Sequence, residues 1–192
     1  MKNKKVVVII AVLAVIVILG GALISGYNGL VTGREAVENA ESNIDTYLQR
    51  RADLIPNVVS TVKSFASHET EVFDKVLEAR TALVNANTVE DKAEADAQLD
   101  TALQGINVIV ENYPELKSDA TYIALMDELE GSENRIAVAR KDYNDAVKDY
   151  NNKVIRFPGS IAASIFGFEK AEYFEADEES QTVPDVGAAL GE

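Results

Sequence analysis

The chain has 192 residues, with 32 acids against 18 Lys and Arg for a formal charge of −14, and it contains no Cys. That length leaves room for one ordinary domain beyond a short N-terminal segment. Without Cys, disulfides and thiolate metal sites are excluded, and so acidic a surface makes nucleic acid a poor partner.

Lys2, Lys4 and Lys5 lie in a basic tail, residues 1–5. Val6–Ile24 follows with 19 residues that carry no charge and no hydrogen-bonding side chain. At about 1.5 Å per residue this matches a hydrocarbon core of roughly 30 Å, so residues 6–26 are predicted to form a transmembrane helix. A cleaved signal peptide shares the basic start. Its apolar core is usually shorter, roughly 7–15 residues, and Ile24-Ser25-Gly26 is a mediocre cleavage site. Ala22 with Gly26 is only a weak small-residue contact pair. Three lysines precede the helix, whereas Arg34 is the sole base among several acids soon after it. The positive-inside rule then places the N-terminus in the cytoplasm and the domain outside. Without those lysines, 15 bases face 32 acids, near −17. Anionic headgroups would repel such a domain, so contact with membrane lipid is expected through residues 6–26.

Beyond the span, apolar residues recur at spacings of three and four and no stretch alternates with period two. The fold class is therefore all-α: an N-terminal transmembrane helix followed by an antiparallel four-helix bundle of long helices, over residues 27–158. The first bundle helix is expected from Tyr27 to about Arg50, with Leu30, Val37 and Ile44 seven apart. The second starts near Asp53, tolerates Pro56 in its first turn, and carries Ile55, Val62, Val76 and Leu83 to about Asn85. A kinked continuation through Pro56 is the competing reading. Thr88 with Asp91 resembles a capping box opening the third helix, which Leu99, Leu103, Ile106 and Val110 line and Tyr113-Pro114 ends. The fourth starts around Ser118 and holds Tyr122, Leu129, Ile136, Tyr143, Tyr150 and Phe157 at seven-residue intervals, crossing Gly131 and stopping at Phe157-Pro158. Residues 159–174 form an apolar segment, with Ile161–Phe168 capping the bundle or lying against the membrane. Residues 175–192 read as an acidic, disordered tail.

Charges interrupt these seams. Arg51 continues the Leu30 series and Glu69 the Ile55 series, while Glu133 and Arg140 fall between the apolar positions of the fourth helix. Such charges are costly unless paired, so Glu69 and Glu133 are expected to meet Arg51, Arg80 or Arg140 in a structural polar layer. Tyr27-Asn28, Tyr143-Asn144 and Tyr150-Asn151 recur, the last two one heptad apart. They specify helix register or oligomer state, or form an interaction stripe for another protein.

A di-metal helical bundle needs a Glu-x-x-His pair on each of two helices. Here His68 is the only His, preceded at that place by Phe65, so no such site is expected. Catalytic Cys, Gly-x-Ser-x-Gly and phosphate-binding loop motifs are missing too, and the chain is read as a non-enzyme without a metal or other cofactor.

Several of these residues carry a family resemblance. Tyr27-Asn28-x-Leu30-Val31, Arg51-x-x-Leu54-Ile55-Pro56-Asn57-Val58-Val59, His68-Glu69 and Ala79-Arg80 resemble the pattern of the LemA family. So do Glu111-x-Tyr113-Pro114-x-Leu116, Glu133-Asn134-x-Ile136-Ala137-x-Ala139-Arg140-x-x-Tyr143-Asn144, Tyr150-Asn151, Phe157-Pro158 and Tyr173-Phe174. The likeness covers about Tyr27 to Glu175. It implies a bacterial protein with an N-terminal membrane helix and a four-helix bundle, connected with envelope or membrane-compartment biology and without accepted catalytic residues. The family is commonly described with its short N-terminus outside, opposite to the lysine distribution here.

The function expected is a membrane-anchored, non-catalytic scaffold or adaptor of the bacterial cell envelope. It would form a homo-oligomer through its helices and recruit other envelope proteins. The alternative is a small-molecule or ion sensor that uses the polar layer, including Glu69, Glu133, Arg51 and Arg140.

Overall fold

The computed structural model describes residues 2–174, which form six helices and no strand. They are α1 (Lys2–Phe65), α2 (Thr70–Asn85), α3 (Val89–Asn112), α4 (Pro114–Lys117), α5 (Ala120–Ile155) and α6 (Gly159–Phe166). The all-α class is as expected. The acidic tail from Glu175 lies outside the described residues. Two compact units divide the chain: one comprises the residues up to Ser42 with Lys141–Glu172, the other Asn43–Arg140 with the residues from Tyr173.

α1 differs from the expected pair of helices ending near Arg50 and starting near Asp53. It continues through Pro56 to Phe65, and the break falls at Ala66–Glu69. A proline inside a helix has no N–H to give, which here leaves the carbonyl of Ala52 without its usual partner. Arg80 Nε donates to that carbonyl at 2.9 Å. The lost bond is thus replaced from α2, and the continuation through Pro56 is the reading observed. At the true break, Glu69 N turns back onto Ala66 O at 3.2 Å while Ser67 and His68 are exposed.

Other boundaries follow local chemistry. Thr88 Oγ1 accepts from Asp91 N at 3.0 Å and opens α3. Pro114 ends the run after Tyr113 and starts the single turn of α4, where its missing N–H costs nothing. Asp119 Oδ1 accepts from Tyr122 N at 2.8 Å, which sets the start of α5 two residues beyond Ser118. α5 crosses Gly131 unbroken but stops at Ile155. Phe157 is therefore not a seam residue: it is 80% exposed, because the seven-residue series runs past the end of the helix that gave it meaning.

In the unit built around Asn43–Arg140, the core contains Ile55, Val62, Val76, Leu99, Ile106 and Ile136, all with no exposed surface. These residues come from α1, α2, α3 and α5, and each lies at a predicted seam position. In the other unit, Leu30, Val37, Tyr143, Val147 and Tyr150 are buried. Gly33 lets α1 and α5 approach there, since a Cβ would lie 3.1 Å from Tyr150 Cδ2. The most apolar eighteen-residue window of α1 has no buried residue, and the helix is long and apolar enough to cross a membrane.

Candidate functional site

The polar cluster of the Asn43–Arg140 unit is assembled from three helices. α1 contributes Arg51, α3 contributes Asp96 and Asp100 one turn apart, and α5 contributes Glu133 and Arg140 seven residues apart. The Arg51 side chain is only 3% exposed, and Asp96 has no exposed side-chain surface. Arg51 donates through Nη1 to Asp96 and through Nη2 to Asp100. Its Nη1 also lies 2.8 Å from Glu133 Oε2, without the alignment of a hydrogen bond, so that attraction is coulombic. Arg140 Nη2 donates to the second oxygen of Asp96. The Arg140 guanidinium lies 4.7 Å from the Phe174 ring centroid, a cation–π contact.

The electrostatics follow from this crowding. Burial lowers the pKa of Arg51, but the fields of Asp96, Glu133 and Asp100 outweigh it and hold the group above its ordinary value. Burial raises Asp96, and the two guanidinium groups offset only part of that effect. Glu133 is likewise raised, mainly by burial. Three carboxylates share two cations, so the cluster carries one net negative charge when all are ionised. The Arg51 guanidinium occupies the place between these carboxylates, and among the described residues no group of three or more His, Cys, Asp or Glu is placed so that it could hold a metal ion.

The expected polar layer is only partly the one found. Arg51, Glu133 and Arg140 come together. Glu69 does not join them: it precedes α2 at the helix break, half-buried, and makes no ion pair among the described residues. Its seven-residue series had assumed a helix that continues past Phe65. Arg80 binds the Ala52 carbonyl instead of a carboxylate. Asp96 and Asp100 were missed, together with the Lys92–Asp45 pair, whose Nζ and Oδ1 are 2.6 Å apart. The signal existed for two of them. Read backwards, the series Val110, Ile106, Leu103 and Leu99 reaches Asp96 and Lys92 at the same three-and-four spacing, and both are buried.

In the other unit, the Tyr-Asn dipeptides hold a segment of their own chain. Tyr143 Oη donates to Glu172 O at 2.9 Å and Tyr150 Oη to Glu169 O at 2.8 Å. Asn151 closes a two-bond ring with Ala171, giving Nδ2 to its carbonyl at 2.9 Å and accepting its N–H at 2.8 Å. Asn144 is half-buried and Asn28 exposed. Tyr27 packs edge-on against Phe166 and Phe168, with centroids 4.8 and 5.7 Å away.

The helical architecture and an N-terminal helix long and apolar enough to cross a membrane define the class of all-α proteins with a candidate membrane span. Within it, the chain belongs to the LemA family, whose profile matches residues 40–187. It is 31% identical to magnetosome protein MamQ 2 of Paramagnetospirillum magneticum strain AMB-1, over 87% of this chain and 71% of that protein. Magnetosome protein MamQ of Magnetospirillum gryphiswaldense is 29% identical over 79% of this chain and 65% of its own length. Protein LemA of Metamycoplasma hominis is 24% identical over 79% and 69%.

Proposed function

We propose that this chain is a membrane-anchored, non-catalytic scaffold of the bacterial envelope. It self-associates through its helices and recruits other envelope proteins, with the domain after the span outside the cytoplasm. The observation that carries the reading is α1: one 64-residue helix holds both the exposed apolar stretch and the seam that contributes Arg51. The ion cluster supports it as well, because both its cations are paired with carboxylates from other helices and so hold helix register, a use buried polar groups are known to serve. Relatives named as magnetosome proteins favour a place on a membrane compartment.

The test uses the absence of native Cys, so that Ser67→Cys, in the exposed break after α1, is a unique thiol. A membrane-impermeant maleimide should label it in intact spheroplasts, and crosslinking in the membrane should capture multimers. Protection of the thiol until lysis would reverse the orientation. A strictly monomeric protein that captures no partner at native expression would remove the scaffold reading.

A small-molecule or ion sensor is the second reading. What favours it is that Asp100 and Glu133 reach the surface, 49% and 39% exposed, beside the buried Arg51. Thermal-shift screening tests it, because a ligand selective for the folded chain raises its melting temperature.

A further inference from the structure

The acidity of the whole chain conceals a local exception. Residues 6–33 contain no charge, and residues 150–168 contain Lys153 and Arg156 but no acid. The structure brings these two stretches together within one unit. Ala22, Ser25, Gly26 and Gly29 of α1 face the corner where α5 turns into α6, and between them lies an open groove of about 610 Å³. That volume falls within the roughly 300–1,000 Å³ of small-molecule sites. Its α1 wall is small and largely apolar, and Lys153, Arg156 and Phe157 line the other side. The Lys153 ammonium lies above Gly33, where an added Cβ would sit 3.4 Å away. Lys153 thus lines the groove and carries its charge towards Gly33, on the side away from the apolar stretch, as a snorkelling lysine does. The corner is fixed by close contact, since a Cβ on Gly159 would lie 2.3 Å from the Lys153 carbonyl. Beside it, Phe157, Ile155, Ile161, Ile165 and Phe166 are exposed apolar side chains.

We propose that this groove binds an anionic phospholipid of the surrounding bilayer, with acyl chain along the small-residue wall of α1 and headgroup phosphate at Lys153 and Arg156. Two arguments select that occupant. The groove adjoins the end of Val6–Ile24, where a spanning helix leaves the hydrocarbon for the headgroups. Its only charges are two cations, and each basic group near an anionic surface strengthens binding roughly fivefold. The exposed apolar corner supplies the interfacial contact that such a site needs. This site rests on the reading that residues 6–26 are retained as a membrane anchor.

The chain contains no Trp, so Phe157→Trp gives a single fluorophore in the full-length protein. It would be reconstituted into phosphatidylcholine vesicles containing, at equal fraction, either brominated phosphatidylglycerol or brominated phosphatidylcholine. Stronger quenching by the brominated anionic lipid is expected. That excess should disappear when Lys153→Ser and Arg156→Ser are added and persist with Lys153→Arg and Arg156→Lys. Equal quenching by the two lipids overturns the proposal, as does an excess that survives loss of both cations in a protein of unchanged helicity. Absence of quenching by either lipid also overturns it, and shielding from aqueous acrylamide in that case would identify a protein occupant. The two brominated lipids decide the matter on Phe157→Trp alone if the serine variant does not fold. Flotation of the same samples separates the premises: protein that fails to float with vesicles refutes the anchor and the site together, whereas floating protein with equal quenching refutes only the site.

Discussion

Arg51 is a residue whose environment leaves it no substitute. Its two terminal nitrogens serve three carboxylates, one of them fully buried, and a lysine cannot reproduce that fork. Arg51→Ala should cost about 3–5 kcal/mol, since it leaves Asp96 buried with one partner fewer, and Arg51→Lys should recover only part of it in denaturant unfolding. Arg80 makes a different kind of bond, to a carbonyl that Pro56 deprives of its helical donor. Arg80→Met should cost about 1–3 kcal/mol in the native sequence. The cost should shrink markedly in a Pro56→Ala background, where the helix supplies its own N–H, and a double-mutant cycle would measure the coupling. The raised carboxyls give a pH signature. A carboxyl with a raised folded pKa holds its proton better in the folded chain, so stability is full below the unfolded value and falls as pH rises through the folded one. Asp96 and Glu133 depart upwards from 3.8 and 4.5. The melting temperature should therefore rise as the pH falls from neutral towards 4.5, and Glu133→Gln should flatten the slope. Glu71 and Asp145, lowered by hydrogen bonds with Lys75 and Lys141, act in the opposite sense only at lower pH.

At the scale of the element, periodicity found the cores of the helices and failed at their ends. Ile55, Val62, Leu99, Ile106 and Ile136 were readable because burial repeats with the helix, and all are fully buried. Glu69 and Phe157 were misplaced for one reason: a seven-residue series has meaning only while the backbone stays helical. That α1 runs on through Pro56 goes with Arg80 reaching Ala52 from another helix, a contact that no local pattern announces. Asp96 was legible in spacing, yet a charge at a seam position counts as an interruption until its partners are known. The α5–α6 corner depends on a single small residue. Gly159→Ala would drive a methyl into the Lys153 carbonyl, and neither backbone can yield easily. It should destabilise the unit that contains it by more than about 1 kcal/mol, seen as faster amide exchange in residues 159–166 while α3 exchanges as before.

For the molecule as a whole, membership of the LemA family and a helix that is a candidate membrane span settle the general class, while the orientation proposed above is left to the thiol-labelling experiment. The lysines before the span favour one orientation, and the family description favours the other. Three-dimensional placement adds two cations that the linear count omits: Lys153 and Arg156 belong to the same unit as the candidate span and Arg34, although they are more than a hundred residues from that helix segment along the chain. Topology rules weigh charges by their distance along the chain near the span ends, so these late cations escape the count.

The grip of Tyr143, Tyr150 and Asn151 on residues 169–172 has a consequence for how the protein can diverge. Every one of its four bonds reaches main-chain atoms, so the segment is recognised as a path and not as a text. Side-chain changes at Glu169, Lys170 and Glu172, all exposed, should be close to neutral. Ala171→Pro removes the one N–H that Asn151 accepts and should loosen the segment, read as faster chymotryptic cleavage after the exposed Tyr173. Among descendants of a common ancestor, the letters at 169, 170 and 172 can therefore drift, and 171 can change to anything small that keeps its N–H, while the two tyrosines and the asparagine stay under selection.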